Sequence, residues 1–154
     1  MIEINTILVP TDFSEYSRHA LRYAIAFAGS FKAKLFLFHC CEHIMLGVGT
    51  EAYHFSVPEY LAEVEKNEKA CLEKWVEEVI AEKVDAESYF MVGSAPTAIV
   101  AAARELGVDM IILATHGRRG VSHLVFGSTA EKVVRLAPCP VLTVKYPEHA
   151  FIKT

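Results

Sequence analysis

Five short apolar runs, separated by segments of a different periodicity, constrain the fold of this chain more than any other feature of its sequence. The runs span residues 4–10, 34–41, 87–92, 109–114 and 140–145. Runs of this length without polar alternation are typical of strands that are buried on both faces of a parallel sheet. The first run ends in proline, which cannot donate to a sheet ladder, so the first strand is predicted to end there.

Helical periodicity characterises the segments between these runs. The predicted helices span residues 14–29, 58–82, 94–106 and 128–137. Ser14 fits an N-cap, Gly29 and Gly107 fit helix ends, and Pro58 fits a first helical turn. The alternation predicts an α/β fold in which a doubly wound, five-stranded parallel sheet has helices on both faces and right-handed crossovers. Residues 42–57 lack periodicity and predict a mobile loop.

Composition narrows the class of protein further. The length of 154 residues and the hydrophobic content of 53% fit one domain, over residues 1–154. The net charge of -4 argues against a protein that neutralises many nucleic-acid phosphates. No run approaches the ~20 apolar residues that cross a bilayer, and the start Met-Ile-Glu-Ile lacks the basic region of a signal peptide, so a cytoplasmic protein is expected. The four cysteines show no C-x-x-C spacing and are expected to be reduced thiols.

Polar residues follow the first predicted strand, where a sheet of this kind binds its ligands. Such ligands lie beyond the carboxyl ends of the strands, at the point where the winding reverses. The first loop begins with Pro10, Thr11 and Asp12. The Asp12 carboxylate could accept hydrogen bonds from ribose hydroxyls, or it could cap the helix that follows. The sequence leaves both roles open.

The loop after the fourth strand combines glycines with positive charge. Its glycines are Gly117, Gly120 and Gly127, and Arg118 and Arg119 lie between them. Residues 127–129 open a helix, whose free N–H groups and dipole favour a phosphate. Alternatively, Ser128 and Glu131 form a capping box and the glycines serve tight turns. Two adjacent arginines at the ligand-binding edge favour phosphate binding.

Several segments resemble one known family from end to end. They are ILVPTDFS, FLFHCC, VGSAPTAIV, DMIILATHGRRG and HLVFGSTAEKVVRLAPCPVLTVK. Together they are similar to the universal stress protein family, whose nucleotide-binding members carry G-x-x-G, nine residues, then G-[S/T]. Here Ala114 stands where that motif has its first glycine, while Gly117, Gly127 and Ser128 match it. An added methyl group there could weaken binding if the position needs a positive φ or close contact with the ribose.

The resemblance implies a fold and a function. The fold is the adenine-nucleotide alpha-hydrolase-like sheet of order 3-2-1-4-5, and the ligand is ATP, with Mg²⁺. Asp12 would face the ribose, the Cys40 backbone would meet the adenine edge, and amides of residues 127–129 and Gly117 would hold phosphates. With charge and position considered, the candidate binding residues are Pro10, Thr11, Asp12, Cys40, Ala114, Thr115, His116, Gly117, Arg118, Arg119, Gly120, Gly127, Ser128 and Thr129. His123 is a further candidate on its charge.

The same resemblance implies a homodimer through the last strand, Val141 to Lys145, at the sheet edge. We therefore expect a stress-response or signalling module with little or no hydrolysis. The alternative is an interaction protein of the same fold that binds no nucleotide.

Other sites receive less support. His39, Cys40, Cys41 and His43 are of metal-ligating types, but successive strand residues point to opposite faces, so the two cysteines do not converge. A P-loop, a dinucleotide fingerprint and a G-x-S-x-G elbow are absent from the sequence. The seven histidines form no recognisable nucleophile, base and orienter set, and His39 is predicted to be a structural residue at a strand end.

Overall fold

Strands and helices alternate along the residues that the structure describes, a computed structural model covering residues 1–43, 57–118, 126–146 and 152. The elements are β1 (Thr6–Pro10), α1 (Glu15–Phe31), β2 (Lys34–Cys41), α2 (Val57–Ala81), β3 (Ala86–Val92), α3 (Ala95–Leu106), β4 (Met110–Ala114), α4 (Ser128–Leu136) and β5 (Val141–Val144). The predicted order of elements is confirmed. Residues 44–56 of the predicted mobile loop lie outside the described part of the chain.

The strands form one parallel sheet of order β3-β2-β1-β4-β5, as predicted. Its centre is β1, where Leu8 pairs with Phe36 of β2 on one side and with Ile111 of β4 on the other. The chain winds outwards from β1 to β3, then returns to place β4 against the free side of β1. The winding therefore reverses between β1 and β4, and β5 lies at the edge of the sheet.

Helices cover both faces of the sheet because alternate strand residues point to opposite sides. Ile7 and Val9 pack in a cluster with α1 and α2, whereas Leu8 packs with α3 and α4. All three side chains are essentially buried. Burial of each such side chain contributes about 1.5–3 kcal/mol relative to exposure, which holds the helices against the sheet.

The first helix begins as predicted but ends later. Ser14 is its N-cap, and the Ser14 Oγ accepts a hydrogen bond of 3.2 Å from the Ser17 amide. The predicted end at Gly29 is wrong, because the helix continues to Phe31 and the left-handed cap residue is Lys32, with φ 57°. A glycine within a helix lowers its stability without breaking it, so Gly29 alone did not end the helix.

Within the described ranges, no helix has the length and apolar character needed to span a membrane.

Candidate functional site

A cavity of about 570 Å³ lies at the carboxyl ends of β1, β2 and β4, where the winding reverses. This volume is in the range of small-molecule and cofactor sites. The predicted residues that line it are Pro10, Thr11, Asp12, Cys40, Ala114, Thr115, His116, Gly117, Arg118, Gly127, Ser128 and Thr129. The predicted Arg119, Gly120 and His123 lie outside the described residues.

The Asp12 carboxylate joins the loops that follow β1 and β4. Its Oδ1 accepts a hydrogen bond of 3.0 Å from the Ser14 amide, and its Oδ2 accepts one of 2.7 Å from the Arg118 amide. Burial of Asp12 acts to raise its pKa, but hydrogen bonds from Ser14 and Arg118 outweigh burial, and the pKa is lowered from its ordinary value. Asp12 is therefore an ionised carboxylate at neutral pH, and the cap of α1 is Ser14 rather than Asp12.

Gly117 is required by the position of this carboxylate. A Cβ atom built on Gly117 would lie 2.5 Å from Asp12 Oδ2, a separation too short for non-bonded atoms. The carboxylate cannot retreat easily, because two backbone amides hold its two oxygens. Gly117 thus allows a close internal contact between the two loops.

Gly127, not Ser128, caps the fourth helix. Gly127 has φ -70° and ψ 156° and supplies no side-chain cap, so the capping-box alternative with Ser128 as N-cap is wrong. The Gly127 amide donates to the Thr115 carbonyl at 2.7 Å, and a Cβ on Gly127 would lie 3.0 Å from that same oxygen. Ser128 and Thr129 therefore stand in the first turn of α4, where amides lack partners within the helix and the dipole is positive.

Ala114 occupies an ordinary strand position. It pairs with Val144 in the sheet, and its methyl group packs against the cluster formed with α1 and α2. Among the described residues other than glycine, positive φ values occur at Phe13, Lys32 and Lys83. The backbone at Ala114 does not need a glycine, so alanine at this position causes no conformational strain.

The loop after β1 contains a strained residue that the sequence did not indicate. Phe13 has φ 63°, a left-handed conformation that bulky side chains rarely adopt. The Phe13 amide donates to the Thr11 Oγ1 at 2.9 Å. The centroid of its ring lies 4.4 Å from the centroid of the His39 ring and 5.5 Å from that of the Trp75 ring. Strain held by so many contacts next to a cavity is typical of functional sites.

The structure adds cavity residues that sequence reasoning missed. They are Ser17, Phe38, His39, Glu42, Glu68, Ser94, Ala95, Pro96, Ile99, Leu113, Ala130 and Lys132. Lys132 places a second cation near the start of α4, and helical spacing from Ser128 could have indicated it. Glu42 accepts a hydrogen bond of 2.9 Å from the Ala95 amide and thereby caps α3. Glu68 lies in α2, and no local sequence pattern indicates that it lines the cavity.

The adjacent cysteines lie in different surroundings. Burial, with the nearby Glu42 charge, raises the pKa of the Cys40 thiol to about 11, and burial with Glu68 raises that of Cys41 to about 12. Both are therefore neutral thiols at physiological pH. The cysteines are free, and in the described ranges no three histidine, cysteine or acidic side chains are arranged to hold a metal ion.

A doubly wound parallel sheet with a cavity at its reversal point and a helix N-terminus at the rim is an architecture in which α/β proteins commonly bind ligands. The model of the Universal stress protein family matches residues 3–145, and the chain belongs to this family.

Curated relatives agree with this assignment. Universal stress protein MJ0531 of Methanocaldococcus jannaschii is 30% identical over 147 residues, which cover 92% of this chain and 82% of the relative. Universal stress protein YxiE of Bacillus subtilis is 30% identical over 146 residues, which cover 92% of this chain and 99% of the relative.

Solved structures share the fold. The structure of protein MJ0577 superposes with a TM-score of 0.78 at 26% identity, covering 96% of this chain and all of that one. A universal stress protein in complex with cAMP gives a TM-score of 0.68 at 23% identity, with 94% of this chain and 98% of that chain covered. The universal stress protein from Archaeoglobus fulgidus in complex with dAMP gives a TM-score of 0.62 at 23% identity, with 93% of this chain and 98% of that chain covered.

Proposed function

We propose that this chain binds an adenine nucleotide, preferably ATP with Mg²⁺, and acts as a stress-response or signalling module with little or no hydrolysis. One observation supports this proposal above all others. A half-buried, ionised carboxylate, Asp12, and the N-terminus of α4 face the same cavity of nucleotide size. A sugar hydroxyl needs a hydrogen-bond acceptor, which Asp12 would supply. A phosphate needs donors and a positive potential, which the N-terminus of α4 would supply.

The ribose would lie against Asp12. A carboxylate has about four lone-pair positions, and the amides of Ser14 and Arg118 use one on each oxygen. Lone pairs therefore remain on both oxygens for two neighbouring hydroxyl groups. Because the amides also fix the carboxylate, the ribose would not have to order it.

The phosphates would lie at the start of α4. Amides of Ser128 and Thr129 would donate to phosphate oxygens, with Arg118 and Lys132 as exposed cations at the rim of the cavity. Mg²⁺ would enter on the nucleotide, because this ion is bound in such sites mainly by phosphate oxygens and water. The residues present fit that arrangement, since the Ser128 and Thr129 hydroxyls are the kind of oxygen ligand that Mg²⁺ accepts.

The base would lie towards β2 and α3. Cys40 lies beside the cavity, one residue before the end of β2, and Pro96 and Ile99 of α3 supply apolar surface there. The Cys40 backbone would contact the adenine edge, as the family resemblance implies. Two structural relatives are in complex with adenine nucleotides, cAMP and dAMP, and these relatives support an adenine ligand through their shared fold.

Little hydrolysis is expected because the titratable groups around the cavity are already engaged. Asp12 accepts two backbone amides, and His39 lies within hydrogen-bond distance of the Thr11 carbonyl and the Glu68 carboxylate. A general base needs a free lone pair directed at the attacking water. The remaining lone pairs of Asp12 would accept from the ribose hydroxyls, and both ring nitrogens of His39 have partners, so neither group would accept that proton.

Calorimetry with nucleotide-free protein tests the proposal. ATP-Mg²⁺ should bind and GTP should bind more weakly, and Asp12→Asn should lower ATP affinity at least roughly tenfold, because an amide nitrogen would face a backbone N–H. Asp109→Asn is the matched control, since Asp109 also accepts two backbone amides, from Asn5 and Thr6, at the opposite ends of the strands. No heat with folded parent protein at millimolar ATP would favour the alternative, an interaction protein without a nucleotide.

We also propose a homodimer through the last strand, Val141 to Lys145. In the described sheet β5 pairs with β4 on one side, which leaves its other edge for a second chain. Sedimentation over a concentration series should show a dimer at micromolar protein. A monomer throughout that range would contradict the proposal.

A further inference from the structure

We propose that Glu68 of α2 acts through His39 of β2 as a positioning residue for the nucleotide site. The pair holds the Thr11 carbonyl, and with it the loop that presents Asp12. This inference rests on the proposed nucleotide function, although part of its test needs no ligand. Neither residue belongs to the loops in which the sequence indicated a site.

The hydrogen bonds of His39 specify its protonation. The buried ring places Nδ1 2.7 Å from the Thr11 carbonyl oxygen and Nε2 3.0 Å from Glu68 Oε2. A carbonyl can only accept, and an ionised carboxylate can only accept. Both bonds therefore form only when His39 and Glu68 together hold one proton more than a neutral imidazole and a carboxylate. The arrangement is a charge-assisted bridge between helix and loop.

Thr11 transmits this bridge to the Asp12 loop. Its amide donates to the Phe38 carbonyl at 2.8 Å, and its Oγ1 accepts from the Phe13 amide at 2.9 Å and lies 3.0 Å from the Ser17 hydroxyl. With the carbonyl held by His39, every polar group of Thr11 has a partner. Asp12 follows directly, and the left-handed backbone at Phe13 follows Asp12. A change at Thr11 would therefore move the carboxylate.

The same helix carries a second pair that lacks this connection. His43 Nε2 lies 2.9 Å from Glu65 Oε1, one turn of α2 before Glu68. The two side chains in this pair are about a third exposed, whereas His39 is buried. Glu65 and His43 do not line the cavity. Glu65 is thus a matched control with the same chemistry and no route to the Asp12 loop.

Three variants in the full chain test the proposal. Glu68→Ala should weaken ATP binding roughly fivefold to tenfold, the lower range of a typical coupling between sites. Glu68→Gln should restore affinity to within about twofold of the parent. The glutamine amide can donate to Nε2 of His39, so that the proton stays on Nδ1 and Nδ1–H still donates to the Thr11 carbonyl. Glu65→Ala should bind ATP as the parent does.

Two further measurements need no nucleotide. Nitrogen-15 NMR of the His39 ring should show a proton on Nδ1 in the parent and in Glu68→Gln. Amide hydrogen exchange at Phe13, Ser14 and Arg118 should accelerate in Glu68→Ala and not in Glu65→Ala. If the parent binds no adenine nucleotide, the proposed function fails, and exchange alone decides whether the pair orders the loop.

Several results would overturn the inference. Parental affinity and parental exchange in folded Glu68→Ala would show that the pair positions nothing. Equal losses in Glu65→Ala would assign the effect to general docking of α2. A Glu68→Gln variant as weak as Glu68→Ala would mean that the charge acts on the nucleotide directly, which contradicts a positioning role.

Discussion

Replacement of Gly117 by alanine tests the contact between the two loops of the site. The new Cβ would lie 2.5 Å from Asp12 Oδ2, the oxygen that accepts the Arg118 amide at 2.7 Å. Normal contact between carbon and oxygen needs roughly 1 Å more, so the carboxylate or the loop must move by that amount. Such a shift breaks the hydrogen bond to Arg118 or weakens it severely.

The magnitude follows from the kind of bond that is lost. A hydrogen bond to a charged group contributes about 1.5–3 kcal/mol to the free energy of unfolding. In a domain of this length each kcal/mol corresponds to about 2–4 °C in Tm, so Gly117→Ala should lower Tm by about 3–12 °C. Because the displaced carboxylate is the proposed ribose acceptor, ATP affinity should fall at least roughly tenfold as well.

Calorimetric melting of Gly117→Ala beside Gly29→Ala provides the comparison. A Cβ on Gly29 meets nothing within 4 Å, and this residue lies exposed within α1. Gly29→Ala should therefore raise stability by about 0.4–1 kcal/mol and leave ATP affinity unchanged. If Gly117→Ala has the same Tm as the parent and its Arg118 amide stays protected from hydrogen exchange, the loop accommodates a side chain and the steric reasoning is refuted.

Three further predictions follow from single positions. Ala114→Gly should keep or tighten ATP affinity while lowering stability by about 0.5–1 kcal/mol, which calorimetry and melting measure separately. Gly127→Val should abolish ATP binding with native circular dichroism, because its side chain would press on the Thr115 carbonyl at the phosphate site; parental affinity would refute that assignment. Hydrogen bonds from the amides of Asn5 and Thr6 lower the pKa of Asp109 in the folded protein. The stability that this carboxylate contributes is therefore fully present above its unfolded pKa of about 4. That stability is lost as the pH falls through the lower folded pKa. Asp109→Asn should thus lower Tm at pH 7, and melting curves should converge with those of the parent in strong acid.

The fold could be predicted because its signals are local. An apolar run such as that of β4 has no polar residue to place on a solvated face, so a sheet covered on both sides is the remaining solution. The strand order came from the family resemblance, since periodicity does not determine which strands are neighbours. The end of α1 was mispredicted because glycine is common both after helices and, at a modest cost, within them.

The site could be predicted only where one loop contains its own signal. Gly127 and the residues beside it predict an anion site at the start of a helix, and this site stays a prediction. The reason for Gly117, in contrast, is a carboxylate 105 positions earlier in the sequence, and His39 meets Glu68 from a different element. Contacts between elements depend on packing geometry, and a single sequence does not record which side chains will meet. Phe13 was missed because no residue type near it demands a left-handed backbone.

The contact between Asp12 and the Arg118 amide spans 106 residues of chain. During synthesis at about 5–20 residues per second, the first loop leaves the ribosome roughly 5–20 s before its partner. Until then the Asp12 carboxylate cannot accept the hydrogen bond from the Arg118 amide, and the residues that begin α4 have not been synthesised. The nascent chain therefore cannot assemble the proposed ligand site early, and any help that a ligand gives to folding must come after translation of the fourth helix.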